Sequence, residues 1–137
     1  MPGSFSYKAL TNFPNVFWQL LIVSFLEKVC VASFVANAAE IYQTRFNLTL
    51  EDTGFIIGIP SMVTAIFAPI LALFLVRFGR RCYLWIIGFC LIMAAHIIFF
   101  ALNGNSVNWA VLTMFLLGLG STIMIITVYT VFSYVVT

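Results

Sequence analysis

Four long apolar runs alternate with short polar ones along the chain, at about residues 14–42, 53–76, 83–102 and 109–136. Each meets or exceeds the roughly 20 residues that an α-helix needs to cross a bilayer. The apolar stretches do not alternate with polar residues as transmembrane strands do, and a backbone surrounded by lipid must close its hydrogen bonds internally. The pattern therefore predicts an all-α membrane protein with four transmembrane helices, preceded by an N-terminal segment at 1–13. Pro14 suits a first helical turn, where its missing N–H costs nothing. Thr49-Leu50-Glu51-Asp52 reads as an N-cap followed by acids that favour a helix N-terminus.

Composition agrees. Of 137 residues, 64% are hydrophobic and only 7% charged, six Lys or Arg against four Asp or Glu. Soluble domains carry about 25% charged residues, so ten charges could not cover a soluble surface of this size. The apolar content equally excludes a disordered chain. Residues 1–12 hold one Lys and no short apolar core, unlike a signal peptide. Cys30, Cys82 and Cys90 form no disulfide framework.

The charges orient the chain. Arg77, Arg80 and Arg81 crowd the connection between the second and third helices, which holds no acid. Lys/Arg excess marks the cytoplasmic face, placing that loop and both termini in the cytoplasm. Asn47-Leu48-Thr49 is the only glycosylation sequon, and Asn47 then lies on the opposite side. Trp18, Tyr83 and Trp85 fit an inner aromatic belt, Tyr42 and Trp109 an outer one.

Polarity is unevenly hidden. The third helix has only His96 as a strongly polar residue, expected to donate a hydrogen bond between helices. The first carries Ser24, Glu27, Lys28, Ser33, Asn37 and Glu40; the fourth carries Ser121, Thr122, Thr127, Tyr129, Thr130 and Ser133. Two central ionic residues cost about 5–7 kcal/mol on insertion scales, and the thirteen Val, Ile, Leu and Phe of residues 16–42 contribute about 4–8 kcal/mol. The first helix is thus a marginal inserter that needs a partner helix or a wet cavity. Intramembrane ionisable residues are candidate functional sites, and Glu27 with Lys28 forms a candidate buried charge pair. Ser33, Asn37 and Glu40 share one helical face nearly opposite Ser24, which predicts a break or twist near residues 36–39. Pro60 and Pro69 predict kinks in the second helix, and Gly118-Leu119-Gly120 permits close helix approach in the fourth.

No Gly-rich phosphate loop, metal-spaced Cys/His cluster or catalytic triad is present, so the reading includes no enzyme, cofactor or metal. The partners expected are the lipid bilayer, a small-molecule solute, and further helices or another subunit; nucleic acid is not among them. The alternatives to a transporter are a small four-helix multidrug-type exporter and a non-transporting tetraspan scaffold. The charge asymmetry between loops argues against the first, and the lack of a large cysteine-bearing outer loop against the second.

The run Ala72-Leu73-Phe74-Leu75-Val76-Arg77-Phe78-Gly79-Arg80-Arg81 resembles the loop motif of the major facilitator superfamily, Gly-x-x-x-Asp-Arg-x-Gly-Arg-Arg/Lys. Arg77, Gly79, Arg80 and Arg81 match it. Ala72 stands for the usual Gly, and Val76 for the Asp that anchors a charge network of the outward-facing state. Phe17-Trp18, Tyr42-Gln43-Thr44-Arg45-Phe46 and Ile66-Phe67-Ala68-Pro69 resemble the start of the C-terminal half in the lysosomal dipeptide transporter branch. The resemblance implies a partial superfamily fold, a fragment corresponding to helices seven to ten of twelve, in a lysosomal or plasma membrane. It also implies that the first and fourth helices line a central cavity while the third faces lipid. The candidate cavity residues are Asn37, Glu40, Thr127, Tyr129 and Thr130, with Glu40 facing a solute ammonium, Tyr129 as an aromatic wall, and Glu27 and Lys28 below.

Changing Arg77, Arg80 and Arg81 together to Gln should mix the two membrane orientations. With Asn105→Cys as reporter, one-sided thiol labelling becomes two-sided; a single retained orientation would place the signal in Lys8 or the first helix.

Overall fold

The computed structural model describes residues 15–79, 81–101 and 107–135. It contains four helices: α1 (Asn15–Phe46), α2 (Leu50–Phe78), α3 (Arg81–Ala101) and α4 (Val107–Val135). All four are long and apolar enough to cross a membrane, and the protein is a multi-pass integral membrane protein. Residues 1–14, Arg80, the polar string 102–106 and residues 136–137 lie outside the description.

Local chemistry sets the helix ends. Thr49 caps α2: its hydroxyl accepts from the Asp52 backbone N–H at 3.2 Å and donates to the Asp52 carboxylate at 2.7 Å. Glu51 and Asp52 fall within the first turn, near the positive end of the helix dipole. Because the cap sits at Thr49, α2 begins earlier than its apolar run. At the other end Gly79 adopts φ +63°, a left-handed conformation that suits glycine. Its N–H bonds the Leu75 carbonyl at 3.0 Å, and Arg81 N–H bonds the Gly79 carbonyl at 2.9 Å. This tight corner reverses the chain, and α3 then packs on α4 rather than along α2. Asn47, φ +50°, opens the α1–α2 connection, which is three residues long.

α4 is the hub. It packs most closely on α3 and α2, while α1 touches α2 and α4 more sparingly. Half of α4's apolar span is buried, against 6% of α1's. Two bare-backbone contacts make this possible. A Cβ on Gly118 would lie 2.7 Å from Pro60 Cα of α2, and one on Gly120 would lie 2.9 Å from the Gly88 carbonyl of α3. Gly88 faces Gly120 in return, with a Cβ there 3.2 Å from the Gly120 carbonyl. The Gly118-Leu119-Gly120 run thus meets a different helix with each glycine.

Hydroxyls tie the same layer. Thr64 donates to the Pro60 carbonyl at 2.9 Å, and its oxygen lies 2.8 Å from the Thr122 hydroxyl of α4. Thr122 also bonds the Gly118 carbonyl at 2.6 Å. Near the far end of α1, Tyr42 is fully buried and its phenol lies 3.1 Å from Thr113 Oγ1 of α4. Phe99 of α3 packs edge-on against Tyr42 and Phe34.

Three expectations change. α1 is one unbroken helix through residues 36–39. Asn37 stays in it by donating to the Ser33 carbonyl at 2.8 Å, so no break is needed to accommodate it. Tyr42 is a core residue rather than an interfacial anchor, because its phenol finds Thr113. His96 bonds its own helix, Nδ1 to the Ile92 carbonyl at 2.8 Å, and leans on Phe34 instead of donating to another helix.

Gly118→Ala should lower stability by about 1–3 kcal/mol, because the new methyl meets backbone that cannot swing aside. Gly54→Ala, which meets open space, should be neutral or stabilising by up to about 1 kcal/mol. Unfolding midpoints in detergent compare them directly; equal midpoints would remove the close contact from the account.

Candidate functional site

Along α1 the packing is lopsided. Ala38, Tyr42 and Phe46, spaced by four, bury one face of the C-terminal half. The N-terminal half instead exposes Trp18, Leu21, Ile22, Phe25, Leu26 and Val29. Between that half and α4 two clefts open, both at the end of the molecule that carries Arg77 and Arg81.

Ser24, Glu27 and Lys28 of α1 line the first cleft, with Met124, Ile125, Val128 and Tyr129 of α4 opposite. The Glu27 side chain is only 3% exposed, while that of Lys28 is 50% exposed. Neighbours in a helix point about 100° apart, so they do not meet by default. Here the long Lys28 stem bends back and sets Nζ 3.0 Å from Glu27 Oε2 and 3.4 Å from Oε1. A buried carboxylate without a cation would be costly. The pairing explains how Glu27 is tolerated in a cleft whose far wall is apolar except for Tyr129. Ser24 adds little polarity, since its hydroxyl donates to the Leu20 carbonyl at 2.7 Å.

The second cleft is walled by Leu20 of α1, Arg81, Cys82 and Trp85 of α3, and Thr127, Val128 and Val131 of α4. Thr127 is buried, and its hydroxyl donates to the Ile123 carbonyl at 2.7 Å. Thr130 likewise donates within α4, to Ile126 and Thr127 carbonyls at 3.0 and 2.8 Å.

The structure brings Glu27, Lys28 and Tyr129 to one cleft. It does not bring Glu40 to Tyr129. Thirteen residues separate Glu27 from Glu40, about 20 Å along a helix axis. Glu40 and Asn37 stand on exposed positions towards the opposite end of α1. Thr127 lines the other cleft, and the exposed Asn47 lies beyond the end of α1. Of the loop motif, Arg77 is exposed with its guanidinium 6.0 Å from the Phe78 ring centroid. Gly79 makes the corner, Arg81 sits at the second cleft, and Arg80 lies outside the described residues. Among the described residues no cluster of three His, Cys, Asp or Glu could hold a metal ion.

Some contacts were not foreseen. Arg45 Nη2 reaches the Phe100 carbonyl at 3.3 Å, and its guanidinium lies 5.1 Å from the centre of the Phe99 ring. This fastens the end of α1 to the end of α3. The Ala38, Tyr42, Phe46 spacing was the available signal for that buried face. The Thr64–Thr122 contact left no such trace, because each hydroxyl also has a carbonyl of its own helix within reach, and whichever one donates across the interface leaves the other to donate within its helix.

Comparison with known proteins supplies the remaining constraint. The family model described as Major Facilitator Superfamily matches residues 4–137. No curated protein and no solved structure matches the chain. With nearly every residue inside the match and four membrane-spanning helices joined by an Arg-x-Gly-x-Arg corner, the chain belongs to the Major Facilitator Superfamily, a family of transporters.

Proposed function

We propose that these four helices form part of a secondary transporter that moves a small polar solute by alternating access, together with further helices. The observation that carries the reading is the buried Glu27 carboxylate, held 3.0 Å from the Lys28 ammonium and facing Tyr129 across a cleft between α1 and α4. Ionisable groups are kept at membrane depth where they meet a solute, a proton or each other. An adjacent anion and cation offer both partners that a zwitterion such as a dipeptide requires: the carboxylate for its ammonium, the ammonium for its carboxylate. Tyr129, 72% exposed, adds an aromatic wall with a polar tip.

In this reading the Glu27–Lys28 bridge is the resting arrangement, and a bound solute replaces each partner by one of its own charges. Asn37 and Glu40 then form a separate polar station further along α1, on the solute's path rather than beside Tyr129. The family match supports the transporter reading and lends none to the four-helix exporter or the scaffold. The lysosomal branch, and a dipeptide as the solute, rest on the loop and flanking residues quoted above.

In the complete transporter, Glu27→Gln and Tyr129→Ala should each lower solute uptake at least about tenfold at equal surface expression. His96→Ala, which loses only a bond within its own helix, should leave uptake within about twofold. Loss of uptake in Glu40→Gln with normal uptake in Glu27→Gln would move the solute to the second station. Normal uptake in both would remove α1 carboxylates from the solute path.

A further inference from the structure

We propose that the exposed face of α1 from Ser33 to Thr44 lines a water-filled vestibule, open on the side that carries Asn47 and closed at Val29. The proposal rests on the reading of Asn37 and Glu40 as a station on the solute's path, and it names the medium at that station and the side it opens to. Ser33, Asn37, Glu40 and Thr44 follow one another at spacings of three and four, so they share a face, and all four are exposed. Towards the other end of α1 the same face continues at the same spacings as Val29, Leu26 and Ile22, also exposed. One unbroken exposed face thus changes from apolar to polar midway along the helix. Contacts to α3 fix the depth of the polar half. Phe34 and Tyr42 both pack on Phe99, and Arg45 reaches the Phe100 carbonyl. The polar half therefore runs beside the closing turns of α3, where α3 exposes Met93, Ile97 and Phe100, as a lipid-facing surface does. Ser33 to Thr44 covers about 16 Å of helix axis, about half the thickness of a bilayer's hydrocarbon core.

Three surroundings can be compared on chemistry. Lipid tails would leave the Glu40 carboxylate and the Asn37 amide without partners, at a cost membrane helices do not carry idly. Glu40 has no ion-pair partner among the described residues. A neighbouring helix would need donors aimed at both groups. The stripe has little to offer such a helix in return. The Asn37 amide N–H already donates to the Ser33 carbonyl at 2.8 Å, and the Thr44 hydroxyl to the Glu40 carbonyl at 2.7 Å. What remains is acceptors, the Asn37 oxygen and the Glu40 carboxylate, which water serves from any direction. Continuity selects water as well. A polar contact between helices can stop short of the membrane edge, whereas a vestibule must reach it. This stripe does so: beyond Thr44 come Asn47, Thr49, Glu51 and Asp52, all exposed. At the inner end Val29 and Leu26 offer no polar group, so the water stops there.

The test is thiol labelling of the intact protein in sealed membrane vesicles with a membrane-impermeant methanethiosulfonate. The exposed Cys30, Cys82 and Cys90 are first replaced by Ala, and single cysteines are then introduced one at a time. Glu51→Cys, at the exposed start of α2, marks the open side. The thiolate is the reacting form and needs water to ionise, so Ser33→Cys, Asn37→Cys, Glu40→Cys and Thr44→Cys should be modified from that side at least about tenfold faster than Leu26→Cys or Met93→Cys. Helical circular dichroism should be unchanged in every variant. Labelling of Asn37→Cys and Glu40→Cys as slow as that of Met93→Cys overturns the proposal, because lipid or another helix then covers the stripe. Labelling of Leu26→Cys as fast as that of Ser33→Cys overturns it too, because the face is then wet past Val29. Labelling from the opposite side alone does the same. If Glu40→Cys fails to fold, Ser33→Cys and Asn37→Cys decide. The labelling needs no solute and no transport. Normal uptake in Glu40→Gln together with full labelling would keep the vestibule and take the solute out of it.

Discussion

Helices surrounded by lipid gain nothing from hiding apolar surface, because lipid tails are as apolar as leucine. What holds these four together is how closely their backbones approach. Gly118 against Pro60 and Gly120 against Gly88 bring α4 into contact with α2 and α3 where no side chain intervenes. The Thr64–Thr122 hydroxyl pair lies in the same layer and is short because the backbones are close. Pro60 suits the contact for the reason that makes it awkward elsewhere. It cannot donate a hydrogen bond, and its carbonyl is met by Thr64 from its own helix.

Against that tight trio, α1 is attached chiefly at one end. Tyr42 to Thr113, Arg45 to the Phe100 carbonyl and the rings around Phe99 hold its C-terminal half. The N-terminal half stands off, and both clefts occupy the gap. This arrangement puts the two charged residues of α1 that most need partners, Glu27 and Lys28, where packing is loosest. Charged groups and loose packing occur together because a long side chain needs room to reach its partner, and a close-packed glycine contact leaves none.

The sequence made the four helices legible because each is a long, predominantly apolar run, and made the start of α2 legible because Thr49 carries its own capping chemistry. It indicated close approach at Gly118 and Gly120 without showing which helices they meet. The interior was harder to read. Tyr42 looked like an interfacial aromatic because a tyrosine near a helix end is usually one; only the position of Thr113, far off in sequence, makes it a core residue. The polar face of Asn37 and Glu40 suggested a break in α1, yet Asn37 bonds the Ser33 carbonyl and the helix continues. Glu40 and Tyr129 could be paired on paper because sequence gives the helix of each residue but not its depth. In antiparallel helices a residue late in α4 lies level with one early in α1, and Glu27 fills that position.

The hub comes last. The buried Tyr42 of α1 is made 71 residues before Thr113, its partner in α4. At ordinary rates of protein synthesis, roughly 5–20 residues per second, that is about 4–14 s. During this interval α1 must stay in or beside the membrane with Glu27 and Lys28 bonded only to each other, while α2 and α3 wait with Pro60 and Gly88 facing nothing shaped to fit them. Assembly of the bundle therefore waits on α4, the helix that carries the close contacts to both α2 and α3.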